Sequence, residues 1–397
     1  MRVLVAVGGG AAAMKVPFVV RRLLEAGYAV RVLATEKALA FTTETALALA
    51  SGGEVATDAR WFLPEGRALH LELSDWADLV LVAPATARIL AQADLGLADD
   101  LLGALLVSGV RRLLLAPAMN PAMWADSAVQ GHVERLRARG ACFAGPAKGA
   151  MAAVGEAPGE GRMLEPEELV AHVRYCLKPK DLAGRTVLVT AGPTREYLDP
   201  VRFLSNPSSG KMGYALAEAA RDRGARVILV SGPTALSTPF GVEFVPVERA
   251  REMRDAVLDR FPEADAVLMA AAVADWRPAA EATEKEAKAG VEKTLTLVPN
   301  PDILAELGRK KDGQVLLGFA METARGLDRA YAKLKKKNLD LIALNRPTDP
   351  RTAFGGEKNQ VVLIHADGRT EASRLESKRK IADWLLDRVL ALMQGSV

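Results

Sequence analysis

Short runs of apolar residues recur along the chain, and the positions between them follow helical spacing. In the first part of the chain the runs predict strands at 2–7, 29–34, 79–83 and 112–117. The spacing between them predicts helices near 15–26, 85–94, 98–108 and 130–139. Strands that are apolar throughout are typical of a parallel sheet with helices on both faces. The pattern therefore predicts an α/β fold.

The pattern pauses at the segment 178–184, "KPKDLAG", which follows a predicted helix at 166–177. Proline, charge and glycine together mark a linker. Beyond it the apolar runs predict strands at 186–191, 226–231, 265–271, 314–319, 340–344 and 360–365, and helices at 210–223, 250–261 and 376–393. We therefore predict two consecutive doubly wound parallel-sheet domains, a flavodoxin-like or Rossmann-like domain at 1–180 and a Rossmann-like domain at 181–397.

The segment 145–164, "GPAKGAMAAVGEAPGEGRML", has no hydrophobic period and many small residues. It predicts a long loop without secondary structure. Such a loop inside a compact domain is usually functional.

Composition narrows the classes of function. The net charge is only +3, so the chain lacks the basic footprint that nucleic acid requires. Cys142 and Cys176 have no CxxC spacing and the four histidines are scattered, so neither a disulfide framework nor a zinc site is indicated. The most apolar stretch, 101–119, contains Arg111 and Arg112, which are costly in a bilayer. Because the N-terminus predicts a strand rather than a signal peptide, we expect a soluble cytoplasmic protein, and the charge and the two arginines indicate that it binds neither nucleic acid nor membrane.

A glycine turn follows the first predicted strand. Gly8, Gly9 and Gly10 precede a helix, where free N–H groups and the helix dipole favour a phosphate. The spacing is not GxGxxG, so a tight turn without a ligand is an equal alternative.

Two further strand ends in the first domain carry polar residues. "APAT" ends at Thr86 and "PAMN" at Asn120, and each residue could bind a ligand or simply form a cap or turn. His70 lies upstream of the first of these strands. A lone histidine is more often structural than catalytic.

Together, His70, "APAT" and "PAMN" resemble the flavin-dependent cysteine decarboxylases, which bind FMN and act on thiol-bearing carboxylates. The resemblance covers residues 1–175. It implies that His70 positions or deprotonates the substrate and that Asn120 holds the substrate carboxylate. It also implies a set of residues around FMN, namely Gly8, Gly9, Gly10, Thr35, Ala83, Pro84, Ala85 and Thr86.

One position departs from that family. Members that make a saturated thiol carry a flap cysteine, as "ACG" before "GxGRM", whereas this chain has Val154 in "MAAVGEAPGEGRM". A thiol can protonate the enethiolate because its pKa lies near the working range, and valine has no proton to give. Cys142 does not align with this place, so we expect a trapped water or a flap residue such as Glu156 to replace the thiol.

The second domain has a longer signature, "VLVTAGPTREYLDPVRFLSNPSSGKMGYALAEAA", at 187–220. Its segment 206–211 brings hydroxyls, N–H groups and Lys211 to a helix start, which predicts capture of an anion. The Walker A spacing is missing, and no acidic residue closes the second strand, which argues against NAD. Asp275 follows a buried strand and could hold Mg²⁺ or a ribose. The lysines at 285, 288, 333 and 337 could also be ordinary solvated side chains.

The motifs "TAGPTRE", "DPVRFLSNPSSGKMG", "AAVADW", "NPDIL" and "GFAMET" occur in this order and resemble bacterial phosphopantothenate–cysteine ligase. That family activates the carboxylate of 4′-phosphopantothenate with CTP, and cysteine attacks the acyl-cytidylate. The resemblance implies that Asn206 holds the acyl-cytidylate, that Lys285 is catalytic and that Asp275 binds Mg²⁺. It implies CTP contacts from Ser208, Gly210, Lys211, Asp275, Lys285, Asn300, Pro301, Asp302, Ile303, Phe319, Lys333 and Lys337. Ala287 stands where the family's KxKxx motif has its middle lysine.

A ligase fused behind a flavin decarboxylase resembles the bifunctional coenzyme A biosynthesis proteins from end to end. The resemblance implies ligation of 4′-phosphopantothenate with cysteine and then decarboxylation to 4′-phosphopantetheine. It also implies a homo-oligomer, a dodecamer built from trimers of the flavin domain and dimers of the ligase domain. Two other hypotheses stay open: a first domain that binds FMN only as a regulatory module beside an active ligase, and an NAD(P)-linked reductase, which the absent dinucleotide fingerprint disfavours.

Overall fold

The computed structural model describes residues 1–63, 68–152, 155–285, 294–321, 326–345 and 356–395. The chain divides into two compact units, Met1–Lys178 and Pro179–Val397. Each unit has its own sheet and its own apolar cores.

The first unit alternates strands and helices. Its strands are β1 Arg2–Val7, β2 Ala29–Ala34, β3 Val55–Ala56, β4 Leu79–Ala85, β5 Leu113–Pro117, β6 Cys142–Phe143, β7 Ala147–Gly149 and β8 Gly159–Arg162. Its α-helices are α1 Val16–Glu25, α2 Glu44–Ser51, α3 Leu69–Trp76, α4 Ala87–Leu95, α5 Leu101–Leu106, α6 Pro121–Trp124, α7 Ser127–Ala138 and α8 Pro166–Leu177. Short 3₁₀ helices lie at Ala11–Lys15, Glu36–Ala40 and Asp58–Arg60.

The first sheet is parallel, with the strand order β3-β2-β1-β4-β5-β6. Alternate residues of β1 enter cores on opposite faces: Val3 and Val5 pack in one core, and Leu4 and Ala6 in the other. Burial on both faces explains why the strand is apolar throughout. The chain winds outward in both directions from the β1–β4 pair, so the crevice at the carboxyl ends of these two strands is the expected ligand position.

The second unit has more strands. They are β9 Thr186–Ala191, β10 Arg195–Tyr197, β11 Phe203–Ser205, β12 Arg226–Ser231, β13 Glu243–Pro246, β14 Ala266–Met269, β15 Trp276–Pro278, β16 Leu297–Pro299, β17 Val315–Met321, β18 Leu341–Asn345, β19 Lys358–Asn359, β20 Val361–His365, β21 Thr370–Ala372 and β22 Glu376–Ser377. Its α-helices are α9 Lys211–Asp222, α10 Ala250–Arg260, α11 Ile303–Lys310, α12 Gly326–Lys336 and α13 Lys378–Met393, with a 3₁₀ helix at Phe261–Glu263.

The main sheet of the second unit has the order β13-β12-β9-β14-β17-β18-β20-β21. The strands from β13 to β18 are parallel, and β20 and β21 extend the sheet antiparallel. The direction of winding changes between β9 and β14, which again places a crevice at the carboxyl ends of the central pair. The predicted α/β fold with doubly wound sheets is confirmed, whereas the antiparallel direction of β20 and the edge strand β21 were not predicted.

Several predicted bounds differ from the structure, and contacts explain two of the differences. The strand predicted at 265–271 is shorter, because the Ala271 N–H turns to the Thr190 hydroxyl (3.1 Å) instead of continuing the ladder. The loop predicted at 145–164 is wrong in part, because it contains the antiparallel pair β7–β8. In that hairpin a side-chain carbon on Gly161 would overlap the Met119 carbonyl oxygen, so its glycines serve close backbone packing rather than a hydrophobic face.

The apolar stretch 101–119 forms the short helix α5 and the strand β5. In the ranges that the structure describes, no helix combines the length and the apolar character needed to cross a membrane.

A buried carboxylate connects two helices of the first unit. Asp94 in α4 accepts a hydrogen bond from Arg135 Nε at 2.8 Å and lies 2.7 Å from His132 Nδ1. Arg139 donates to the Asp94 carbonyl oxygen at 2.6 Å. The hydrogen bond from Arg135, aided by His132 and the charges of both arginines, lowers the pKa of Asp94 from 3.8 to about 2. The cluster therefore joins α4 to α7 and to Arg139, which directly follows α7.

Replacing Asp94 tests this cluster. Asp94→Asn is expected to destabilise the first unit by about 2 kcal/mol at neutral pH, because a depressed carboxyl pKa stabilises the folded state. The folded-state pKa is the lower one, so this stabilisation is present above pH 3.8 and is lost as the pH falls toward about 2. The measurement is urea unfolding of the full chain near neutral pH and in acid, with hydrogen exchange reporting on the first unit.

Asp75→Asn, at an exposed position of α3, is the matched control and should change stability by less than about 0.5 kcal/mol. A loss of stability in Asp94→Asn that is equally large in acid would contradict the assignment.

Candidate active sites

The glycine turn of the first unit lies at the end of β1, in the crevice beside β4. A side-chain carbon on Gly8 would overlap the Pro84 carbonyl oxygen, and one on Gly9 would overlap Lys37. Around Gly10 there is space, since the nearest atoms to such a carbon are Thr86 Cγ2 at 3.6 Å and Pro84 Cγ at 3.8 Å. The structure therefore brings together the predicted turn and the predicted "APAT" strand end.

Donors for an anion converge at this turn. Among the described residues, the N–H groups of Gly9 and Gly10 donate to no protein acceptor. Thr86 caps α4 by accepting the Ile89 N–H at 3.5 Å, and its hydroxyl hydrogen has no acceptor in the described part of the chain. The arrangement fits a phosphate group, which accepts hydrogen bonds from such donors.

Thr35 has a different position. It is buried, its hydroxyl donates to the Val7 carbonyl oxygen at 3.0 Å, and it accepts the Ala38 N–H at 3.3 Å. Its hydroxyl hydrogen is therefore used within the protein, and Thr35 supports the end of β1.

His70 lies in α3, half-buried, before strand β4. The indole N–H of Trp61 donates to His70 Nδ1 at 3.1 Å. Trp61 was not singled out from the sequence, because it belongs to none of the motifs and follows no predicted strand end.

Asn120 follows β5 and caps α6. Its Oδ1 accepts the Ala122 N–H at 2.9 Å, and its Nδ2 donates to Glu156 Oε1 at 2.8 Å. The first contact fixes which way the amide points, because only the oxygen can accept. The flap carboxylate proposed from the sequence thus lies against the predicted substrate-binding amide. Val154 lies outside the described residues.

In the second unit three loops meet at the carboxyl ends of β9 and β12. Gly192 and Gly210 have φ of +71° and +73°, a region that favours glycine. A side-chain carbon on Gly210 would lie 2.6 Å from Thr234 Cγ2, and one on Gly232 would overlap the Pro193 carbonyl oxygen. Close contact between these loops brings the start of α9 to the strand ends, where its N-terminus can attract an anion.

The loop 273–275, which follows β14, is held by two asparagines. Asn206 Nδ2 donates to the Val273 carbonyl oxygen at 3.0 Å, and Asn300 Nδ2 donates to the Ala274 carbonyl oxygen at 2.9 Å. The Asn300 N–H also donates to the Asp275 carbonyl oxygen at 2.8 Å. The structure therefore brings together three predicted site residues that are distant in the sequence.

The Asp275 side chain is exposed and has no hydrogen bond or ion pair with another described residue. No group of three or more His, Cys, Asp or Glu side chains that could hold a metal occurs among the residues described by the structure. A magnesium ion at Asp275 would therefore need further oxygen ligands from its nucleotide.

Other predicted CTP contacts have partners within the protein. Lys211 forms an ion pair with Glu357, and Ser208 Oγ accepts the Gly210 N–H at 3.3 Å. Lys337 Nζ donates to Asp302 Oδ1 at 3.0 Å.

The remaining predicted contacts differ in exposure. Asp302 caps α11 by accepting the Ala305 N–H at 3.1 Å, and Ile303 is buried, so both have structural roles. Pro301 and Phe319 are half-buried, whereas Lys285 and Lys333 are exposed. Positions 287 and 288 lie outside the described residues.

Two doubly wound units, each with glycine turns at the carboxyl ends of its parallel strands, define a two-domain α/β protein, a class in which ligands commonly bind at these strand ends. Residues 1–178 match the family model described as Flavoprotein. Residues 182–393 match the model described as DNA/pantothenate metabolism flavoprotein C-terminal domain.

The chain is similar over its full length to curated relatives. It is 41% identical over 395 residues to the coenzyme A biosynthesis bifunctional protein CoaBC of Vibrio parahaemolyticus, covering 99% of this chain and 98% of that protein. The CoaBC protein of Mycobacterium tuberculosis is 44% identical over 412 residues, covering 99% and 97%. That of Bacillus subtilis is 41% identical over 394 residues, covering 98% and 97%. The chain therefore belongs to the CoaBC family of coenzyme A biosynthesis bifunctional proteins, and the resemblance inferred from the motifs is confirmed.

The glycine turn of the first unit offers a matched pair of substitutions. Gly8→Ala is expected to destabilise the first unit by about 1–3 kcal/mol, because its methyl group would overlap the Pro84 backbone. Gly10→Ala should cost less than about 0.5 kcal/mol, because the site is open and the backbone is extended. Urea unfolding of the full chain measures both. Equal stabilities in the two variants would show that the turn is not constrained by close packing.

Proposed function

We propose that the chain carries out two successive steps of coenzyme A biosynthesis. Residues 181–397 ligate 4′-phosphopantothenate with cysteine at the expense of CTP. Residues 1–180 decarboxylate the product, 4′-phosphopantothenoylcysteine, to 4′-phosphopantetheine with FMN. The observation that carries the proposal is identity of 41–44% along the whole length of relatives named for this bifunctional role. The two anion-accepting crevices support it.

The first unit holds a flavin, and we propose that it is FMN. The donors at Gly9, Gly10 and Thr86 would hold the phosphate. When bound, the flavin supplies the two-electron oxidation of the cysteine side chain that gives the substrate an electron sink for loss of CO₂.

Asn120 would hold the substrate carboxylate in the first unit. Its Nδ2 carries two hydrogens, of which one is directed to Glu156, so the other can be donated to the substrate. His70 acts on the same substrate from α3. Glu156 can supply a proton to the decarboxylated carbon, since its carboxyl lies against Asn120.

In the second unit, CTP activates the 4′-phosphopantothenate carboxylate and pyrophosphate leaves. The start of α9 would attract the negatively charged groups, and Asn206 would hold the acyl-cytidylate beside the loop 273–275. Asp275, with Mg²⁺, would hold the nucleotide, because its carboxylate makes no contact with another described residue. Lys285 would stabilise the charge that develops on activation and attack.

Val154 favours a second candidate function for the first unit. A flap without a thiol is compatible with a module that binds FMN and regulates the ligase but does not decarboxylate. Release of CO₂ from 4′-phosphopantothenoylcysteine by the purified protein separates the two functions.

By resemblance we further propose a cytoplasmic homo-oligomer, a dodecamer, which the mass of the native assembly would test.

Two variants separate the two activities. Lys285→Gln is expected to lower CTP-dependent ligation by about 10²-fold, as for loss of a preorganised charged donor, and to leave CO₂ release unchanged. His70→Ala is expected to lower CO₂ release and to leave CTP-dependent ligation unchanged. The measurements are pyrophosphate release and CO₂ release from the purified protein, with Lys310→Gln at an exposed position of α11 as the control. A colourless protein that takes up no FMN would refute the first-unit assignment. Ligation at the wild-type rate in Lys285→Gln would make Lys285 an ordinary surface residue.

The role of Glu156 is tested by the mass of the product. Under anaerobic conditions the wild type is expected to give full-mass 4′-phosphopantetheine, because Glu156 replaces the missing thiol as proton donor. Glu156→Gln keeps a hydrogen-bonding side chain but cannot donate this proton, so its product should be two hydrogens lighter. Glu160→Gln in β8 is the control from the same hairpin. A wild-type product two hydrogens lighter than 4′-phosphopantetheine would show that the reaction stops at the enethiol.

A further inference from the structure

The contact between Trp61 and His70 restricts the imidazole. The indole N–H lies 3.1 Å from His70 Nδ1, and the two rings meet edge to face at 83° with centroids 5.9 Å apart. An indole nitrogen can only donate. His70 Nδ1 must therefore present its lone pair, and the single proton of the neutral ring lies on Nε2.

The segment that carries Trp61 is anchored at several points. Asp58, at the start of the preceding 3₁₀ helix, accepts the Leu101 N–H at 2.8 Å and so ties this helix to α5. The backbone N–H of Trp61 donates to the Asp58 carbonyl oxygen at 3.2 Å. Arg60 is 3.3 Å from Glu54 and 3.6 Å from Glu44. These contacts hold the indole in place beside α3.

We propose that Trp61 is a positioning residue that keeps His70 in the Nε2–H form, so that His70 donates a hydrogen bond to the substrate and does not take a proton from it. This inference rests on the decarboxylase function proposed for the first unit. Neither ring nitrogen is available as a base: Nε2 already carries hydrogen, and protonation of Nδ1 would remove the acceptor of the Trp61 N–H. An Nε2–H donor suits an anionic carboxylate or thiolate, because hydrogen bonds to charged groups are the stronger ones.

Nitrogen-15 spectra of the full protein, labelled in histidine and measured under magic-angle spinning, test the tautomer without any activity. Loss of one signal set in His70→Ala assigns the residue among the four histidines. We expect an unprotonated Nδ1 and a protonated Nε2 in the wild type, and a mixture of tautomers in Trp61→Phe, which keeps an aromatic ring but has no N–H. A protonated Nδ1 in the wild type would overturn the proposal, whether or not the protein decarboxylates.

Kinetics test the consequence for the reaction. Trp61→Phe is expected to lower kcat/KM for decarboxylation by about 2- to 10-fold, the factor that one neutral hydrogen bond corresponds to, and to leave ligation unchanged. Phe62→Leu alters the neighbouring exposed ring, which stacks on Trp61 at 4.4 Å, and should leave decarboxylation unchanged. Equal decarboxylation rates in Trp61→Phe and the wild type would refute the positioning role.

Two substitutions of His70 distinguish a donor from a base. The amide of His70→Gln can donate near the position of Nε2 but cannot take up the proton, so this variant should decarboxylate at least about 10-fold faster than His70→Ala. Equal rates in the two variants would assign His70 as a base and overturn the proposal.

Discussion

Close approach of the backbone at the carboxyl ends of neighbouring strands is the constraint on which both units depend. In the first unit Gly8 allows the end of β1 to touch Pro84 at the end of β4. In the second unit Gly232 allows its loop to touch the Pro193 backbone, and Gly192 and Gly210 leave room for the Thr234 side chain beside them. Each crevice is thereby lined by N–H groups and small side chains, which is the surface that a phosphate requires. The sheets supply the framework, but glycine sets how near their loops come.

The apolar runs were sufficient for the central strands of the main sheets because both faces of these strands are covered. Residues such as Val187 and Leu188, adjacent in β9, enter different cores, so the whole strand must be apolar and is visible in the sequence. The short antiparallel strand pairs were not predicted from the sequence. Residues Gly159–Arg162 of β8 contain two glycines and two charged residues, and their pairing depends on backbone hydrogen bonds and on contact with the turn that contains Met119 and Pro121.

The candidate sites were predictable to the extent that they follow strand ends. Gly8, Thr86 and Asn120 were placed by this rule, and the structure gathers Gly8 and Thr86 in one crevice. What each side chain contacts could not be predicted, because it depends on how the segments between the partners fold: Asn120 contacts Glu156, and His70 contacts Trp61. Thr35 also makes a contact that its position in the sequence does not predict, since its hydroxyl donates to the Val7 carbonyl oxygen.

The two asparagines that hold the loop 273–275 bind its carbonyl oxygens and no side chain. Homologous proteins can therefore exchange the side chains of Val273 and Ala274 during divergence without losing either contact. A change in loop length is different: inserting or deleting one residue would move the carbonyl groups out of register with Asn206 and Asn300 at once. At Val273 and Ala274 these two contacts thus constrain the number of residues in the loop rather than the side chains it carries.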